Sequence, residues 1–410
     1  MRIVVAHYHR TLVGGIETYL AAALPRLAAQ GHEILFAHES APETGHASIP
    51  LPRDVEMLGL NEGINTALRR IEDWKPDLAF VHALHVPEFQ RKLVARFPTA
   101  LFAHGYYGLC ISGSKTWRRP SVRICAKRFD WKCLLHYHAK GCGGNSPVTM
   151  FQNFLLHRRQ LNVLKQCDAI LTHGGQMQRE YIAEGIPAER VYALPHFVEA
   201  TELIRSIAPR SSVLYWSQPQ DFDQKTRLLF AGRFDELKGG RVLLEALPLI
   251  VETLKRPVEL EMVGAGPMAN EWKRLAAATE SETIRIKFTG WLDRAALEAR
   301  MAISDLLIVP SVWPEPFGQV GLDAAQVGLP AVAFNLGGIP TWLRDGINGH
   351  LAPADPPTKE GLTSAIAKAL GNSEHYAKLR AGAVTVAKEF TVEKHLAALN
   401  NVFEKVAQSR

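Results

Sequence analysis

Short, wholly apolar runs alternate with stretches of helical periodicity, and they do so twice along this chain. The first run is Arg2–His7, R-I-V-V-A-H. The pair Gly14-Gly15 then opens a helical stretch from Ile16 to about Ala29, Gly31 closes it, and Glu33–Ala37 is the next apolar run. Leu78–His82, Thr99–His104, Ala169–Thr172 and Val191–Leu194 continue the series. A strand that is apolar on both sides has to be covered on both faces. The runs therefore belong in parallel sheets flanked by helices, an α/β architecture.

The second series starts at Arg227–Ala231. Its further strands are expected at Val258–Val263, Ile284–Thr289, Leu306–Val309 and Pro330–Phe334. Its helices are expected at Gly239–Leu254, Met268–Ala278, Arg294–Ile303 and Gly318–Val327, with a last one at Thr391–Val406. Residues 200–226 lack periodicity and mark a junction. At 410 residues the chain exceeds one ordinary core. The expectation is two doubly wound, Rossmann-like domains, 1–200 and 225–390, followed by a terminal helix in 391–410. In such domains ligands sit outside the carboxyl ends of the strands. A composition of 47% hydrophobic and 21% charged residues suits a soluble globular chain. No apolar run reaches the roughly 18 residues of a membrane span, and M-R-I-V-V-A-H is short for a signal peptide, so a cytoplasmic location is expected.

The most chemically informative stretch is Pro310–Val332, P-S-V-W-P-E-P-F-G-Q-V-G-L-D-A-A-Q-V-G-L-P-A-V. A buried-type strand runs into a proline-rich turn that delivers Glu315, and Gly318 then opens a helix holding Asp323. Free N–H groups at a helix start attract phosphate. A carboxylate beside them suits hydroxyls instead. Phosphate and hydroxyls in one pocket describe a nucleotide-sugar.

G-R-F-D-E-L-K-G, Gly232–Gly239, follows the first strand of the second series. Arg233 and Lys238 supply a planar fork and a point charge beside a helix start, the neutralisation a diphosphate leaving group needs. V-G-A-G-P at Val263–Pro267 and F-T-G-W at Phe288–Trp291 end two more strands. Taken alone, Gly264 and Gly266 read equally well as a tight strand–helix turn, and so do Gly14 and Gly15 in the first half. His104, before Gly105, ends a first-half strand. His7, His82 and His85 also lie near strand ends.

These motifs together resemble the retaining glycosyltransferases of GT-B architecture, glycosyltransferase family 4 (glycosyl transferases group 1), which include sucrose synthase-like and phosphatidylinositol mannosyltransferase-like enzymes. The family signature is E-x7-E with F-G after the first Glu. Here Glu315 is followed by Pro316, Phe317 and Gly318, and Asp323 replaces the second Glu. Asp323 keeps two acceptor oxygens but is one methylene shorter. The resemblance implies that Glu315 contacts the donor sugar and Asp323 the ribose hydroxyls. Arg233 and Lys238 would stabilise the departing nucleoside diphosphate, and Trp291 would lie near the base. Gly14, Gly15, Gly264 and Gly266 would lie by the donor, and His104 would reach its sugar. It also implies that the last helix crosses back to the first domain. Thr341 stands where the G-G-x-P-E loop carries an acid, and P-H-F-V-E replaces P-N-G-V-D from Pro195.

The function expected is sugar transfer from a nucleotide-diphosphate sugar, UDP- or GDP-linked, to a carbohydrate or lipid-linked acceptor, in polysaccharide, lipopolysaccharide or glycolipid assembly. No D-x-D motif ends a strand, so neither catalytic metal nor cofactor is expected. The alternatives are a sugar-nucleotide epimerase of the same shape, a catalytically silent nucleotide-sugar-binding subunit and a dinucleotide oxidoreductase. The last would need G-x-G-x-x-G after the first strand, which is missing.

Between Arg96 and Lys165 stand twelve lysines and arginines and one acid, Asp130, with Trp117, Phe129, Trp131, Tyr137, Phe151 and Phe154 among them. The segment at about 105–147 reads as an insertion. Its charge suits an anionic membrane surface or a solvated basic face; no nucleic-acid motif accompanies it. It also holds Cys110, Cys125, Cys133 and Cys142, near His136 and His138. These read as ordinary thiols, a structural metal site or disulfides.

Overall fold

The computed structural model describes residues 1–12, 14–40, 47–52, 55–199 and 225–409. The expected junction falls mostly outside the described residues. The chain divides into two compact units: Met1–Lys115 with Ala126–Pro195 and Val392–Arg410, and Thr116–Cys125 with His196–Thr391.

The strands are β1 Arg2–His7, β2 Glu33–His38, β3 Glu56–Gly59, β4 Leu78–Val81, β5 Thr99–Ala103, β6 Thr116–Trp117, β7 Arg123–Ile124, β8 Ala169–Thr172, β9 Val191–Ala193, β10 Thr226–Ala231, β11 Val258–Val263, β12 Ile284–Gly290, β13 Leu306–Val309, β14 Ala331–Phe334 and β15 Gly349–Ala352. In the first unit seven strands pair in parallel in the order β3-β2-β1-β4-β5-β8-β9. Every residue of β4, β5 and β8 is buried, as their continuous apolar runs require. The terminal helix Val392–Ala407 belongs to this unit. Its His395 Nε2 lies 2.9 Å from Tyr19 Oη, and Phe403 packs edge-on to Phe80 at 5.0 Å.

In the second unit six parallel strands take the order β12-β11-β10-β13-β14-β15. The pleat divides neighbouring side chains between two cores. Leu228, Phe230, Leu306, Ile308, Val332 and Phe334 enter one, with the helices Gly240–Leu254 and Lys359–Leu370. Leu229, Leu307, Val309, Ala331 and Ala333 enter the other, with Phe317 and Trp342. Each fully buried side chain of this kind is worth about 1.5–3 kcal/mol.

Three differences from the sequence reading stand out. β3 and β15 are short strands, each paired with one neighbour, and apolar periodicity does not announce them. The helices Lys359–Leu370 and Ser373–Ala387 were not expected, though Thr358 and Asn372 cap their first turns through Gly361 N and His375 N. The sequence puts the segment 105–147 whole on the first domain. Its hairpin β6–β7, with the rest of Thr116–Cys125, groups with the second unit, where Val122 and Ile124 pack on the core and Arg118 Nε meets Glu236 Oε2 at 3.1 Å.

Candidate functional site

In the second unit the ends of β10, β11 and β12 are laced together by backbone. Gly232 N donates to Val263 O at 3.0 Å, Phe234 N to Ala265 O at 2.8 Å and Gly264 N to Gly290 O at 2.8 Å. Gly264 and Gly266 have φ of +136° and +156°, and a Cβ on them would lie 2.0 Å from Gly232 O and 2.4 Å from Phe234 O. The chain's own backbone thus fills the space that these glycines leave. Their role here is to hold the loop that carries Arg233. Arg233 is exposed, and its guanidinium has no ion-pair partner among the described residues. Gly239, at φ +71°, brings the same loop against β13's exit: a Cβ there would sit 1.8 Å from Pro310 O.

That approach sets up the central contact. Lys238 Nζ lies 2.5 Å from Glu315 Oε1, and Ser311 Oγ donates to the same oxygen at 2.6 Å. Burial alone would raise the Glu315 carboxyl. The Lys238 charge and hydrogen bond, with Ser311, outweigh it and hold Glu315 below the usual carboxylate range. Lys238 Nζ also stands 5.8 Å from the Trp313 ring centroid. Behind Glu315, Gly338 N donates to Glu315 O at 2.6 Å, and a Cβ on Gly337 would collide with Glu315 backbone at 2.3 Å. The Leu336–Leu343 loop therefore seats Glu315 through its glycines, and the Thr341 departure leaves that seat intact. Ser311 went unread in the sequence, although it stands four residues before Glu315, within P-S-V-W-P-E.

Gly318, left-handed at φ +86°, precedes the helix Gln319–Gln326. Phe317 O accepts from Trp342 Nε1 at 2.7 Å, and Gly321 makes room for the Trp342 ring. Pro316 is half-buried and Phe317 buried. Asp323, one turn into this helix, accepts from Gln319 Nε2 at 3.2 Å and has Arg294 Nη2 at 3.9 Å. Burial raises its carboxyl to about 6, with Arg294 pulling the other way. Trp291 stands 68% exposed just beyond β12. The second unit thus brings Lys238 and Glu315 into contact, with Arg233 on the loop after β10, Phe317 and Gly318 after β13, and Asp323 one turn into the following helix.

Gly14, Gly15 and His104 lie in the first unit. Gly14 is extended and precedes the helix Gly15–Ala29; nothing stands within 4 Å of where a Gly15 Cβ would be. Glu17 in that helix's first turn accepts from His7 Nε2 at 2.8 Å, and His9 Nε2 is 3.9 Å away. These three bring ligand atoms within 4.8 Å of one another. Thr11 N donates to His9 Nδ1 at 3.2 Å, so a neutral His9 carries its proton on Nε2, facing Glu17. With that tautomer both imidazoles face the Glu17 carboxylate.

His104 is flanked on both nitrogens, with Nε2 2.9 Å from His82 Nδ1 and Nδ1 3.1 Å from His173 Nε2. His82, His104, His85 and Tyr8 border a cavity of about 360 Å³ in this unit, with Phe102 and Leu156. His82 and His173 were not distinguished by sequence, because spacing does not say which strand-end imidazoles share an edge.

Cys110, Cys125, Cys133 and Cys142 form no disulfide, which leaves the ordinary-thiol and metal readings. Cys110 Sγ is 3.4 Å from Ser112 Oγ, Cys133 Sγ 3.9 Å from Arg128 O and Cys142 Sγ 3.7 Å from His136 O. Among the described residues no three of them bring Sγ atoms to ligand spacing.

Comparison with known proteins accords with this arrangement. The family model Glycosyltransferase Family 4 matches residues 13–202, and Glycosyl transferases group 1 matches residues 216–385. A phosphatidyl-myo-inositol mannosyltransferase of Mycobacterium leprae is 32% identical over 183 residues, 44% of this chain and 47% of that protein. Its Mycobacterium tuberculosis counterpart is 38% identical over 138 residues, 33% of this chain and 34% of that protein. The chain thus aligns with less than half the length of these relatives. In fold it is similar to sucrose-phosphate synthase from Thermosynechococcus elongatus, TM-score 0.72 at 16% identity over 100% of both chains. It is similar also to Anabaena HepE, solved with UDP and glucose, TM-score 0.67 at 17% identity over 99% and 100%. With its two parallel-sheet domains of GT-B fold and both halves matched, the chain belongs to glycosyltransferase family 4.

Proposed function

We propose that this chain transfers a sugar from a nucleotide-diphosphate sugar to an acceptor hydroxyl with retention of anomeric configuration, in glycolipid or polysaccharide assembly. The observation that carries the reading is the Lys238–Glu315 pair beside the exposed Arg233, at strand exits where an α/β sheet takes its ligand. A carboxylate held ionised is an acceptor only, suited to sugar hydroxyls. Arg233 and Lys238 neutralise the diphosphate, with N–H groups around Gly318. The C1–O bond to the diphosphate breaks as the acceptor oxygen bonds C1 on the same face. The acceptor proton passes to the leaving phosphate oxygen. The two cations stabilise charge that grows on the leaving group, and the reading requires no metal and no cofactor. Asp323 accepts from the ribose hydroxyls.

UDP is the favoured nucleotide, because HepE was solved with UDP, with UDP-glucose and with UDP and glucose. GDP remains the second choice to test. The acceptor side belongs to the first unit, where the cavity walled by Tyr8, Phe102, His104 and Leu156 suits a partly apolar, lipid-linked or carbohydrate acceptor. Calorimetric titration with UDP- and GDP-sugars, then NMR of the anomeric product, tests the reading. Binding of neither nucleotide would reject the donor site, and an inverted product would reject retention.

A further inference from the structure

Residues 126–167 of the first unit contain Lys127, Arg128, Lys132, Lys140, Arg158, Arg159 and Lys165, against the single acid Asp130. The stretch folds as two mutually packed helices, Lys132–Ala139 and Pro147–Leu164, with the Phe129 and Phe154 rings 5.3 Å apart. The longer helix buries Phe154, His157, Leu161 and Leu164. Large apolar side chains nevertheless stand in water on both helices. Trp131 is 60% and Leu135 64% exposed, four residues apart. Val148 at 65%, Phe151 at 55% and Leu155 at 47% follow one face at spacings of three and four. Arg158 and Arg159 continue that face by one turn, and neither they nor Lys127 and Lys132 form ion pairs among the described residues. Soluble monomers rarely leave so many large apolar groups together in water.

We propose that this helix pair is a docking surface for an anionic lipid bilayer. Trp131, Leu135, Val148, Phe151 and Leu155 enter the boundary between headgroups and acyl chains, and the surrounding cations meet lipid phosphates. Charge selects this occupant. A two-fold contact with a second copy would set seven cations and one acid against the same set, which repels. A nucleic acid would use the cations and leave the apolar face wet. The helix Pro147–Leu164 also lends Leu156, His157, Gln160 and Leu164 to the cavity wall, so docking puts that cavity next to the lipid.

The test uses the full chain and vesicles without any donor sugar, so it stands or falls apart from the transfer reading. The wild type is expected to sediment with phosphatidylcholine vesicles containing phosphatidylglycerol, not with phosphatidylcholine alone, and to be released by salt. Phe151→Asp with Leu155→Asp should lower partitioning at least about tenfold. Arg158→Gln with Arg159→Gln should lower it about fivefold per charge. The substituted side chains are exposed, and equal melting temperatures establish that the variants fold. The Arg pair gives a second readout should the Asp variant not fold. Equal or negligible sedimentation with both vesicle types, or variants that partition like the wild type, would overturn the proposal. So would a wild-type dimer that the Asp variant converts to monomer, since the face would then be a self-association surface.

Discussion

Lys238 and Glu315 lie 77 residues apart in sequence, yet Lys238 Nζ is 2.5 Å from Glu315 Oε1. Lys238 therefore helps hold the buried Glu315 carboxyl below its usual range before any ligand arrives. The glycine at position 239 makes the meeting possible, because only a residue without Cβ can pass Pro310 O so closely.

Removing the lysine strips a buried carboxylate of its counter-charge. Lys238→Ala is expected to cut turnover by on the order of 10²-fold or more. It should also raise the Glu315 pKa. The two losses should not add: in a cycle with Glu315→Gln, the double variant should be more stable than the sum of the singles predicts by about 0.5–3 kcal/mol. Chemical denaturation of the four proteins measures it, and strict additivity would show that the pair is uncoupled.

Arg233 behaves differently, because its exposed guanidinium has no ion-pair partner among the described residues. Arg233→Ala should melt within a degree or two of the wild type while transfer falls by on the order of 10²-fold or more. Normal turnover in this variant would remove Arg233 from the diphosphate site.

Asp323 predicts a pH effect. Its folded carboxyl titrates near 6, above the ordinary 3.8, because of burial. The folded state therefore binds this proton more tightly than the unfolded one. The contribution to stability is fully present below about pH 4 and is lost as pH rises through about 6. Nucleotide binding runs the other way. The ionised form is the better acceptor for ribose hydroxyls, so UDP affinity should rise between about pH 5 and 7. Asp323→Asn should flatten that rise, and a wild-type profile in the Asn variant would show that another group titrates.

The glycines separate into two classes. Gly239→Ala forces a Cβ to 1.8 Å from Pro310 O at φ +71° and should cost at least about 1–3 kcal/mol. Gly15→Ala meets nothing within 4 Å and should fold normally. If donor phosphate approaches the Gly15 backbone, the Ala variant should nevertheless bind the nucleotide-sugar less tightly. Paired melting and titration curves distinguish the two cases.

The two series of short apolar runs determined a two-domain α/β fold with parallel sheets, because a strand apolar on both sides must be covered on both faces. E-P-F-G and G-R-x4-K-G marked the turns after β13 and β10 from which Glu315 and Lys238 come. Sequence could not show that Lys238 grips Glu315, that Gly264 and Gly266 make room for backbone, or that His82 and His173 bracket His104. Those are facts of approach between segments distant in the chain. Only the packed structure fixes which atoms meet, because packing decides where each loop's empty space is filled.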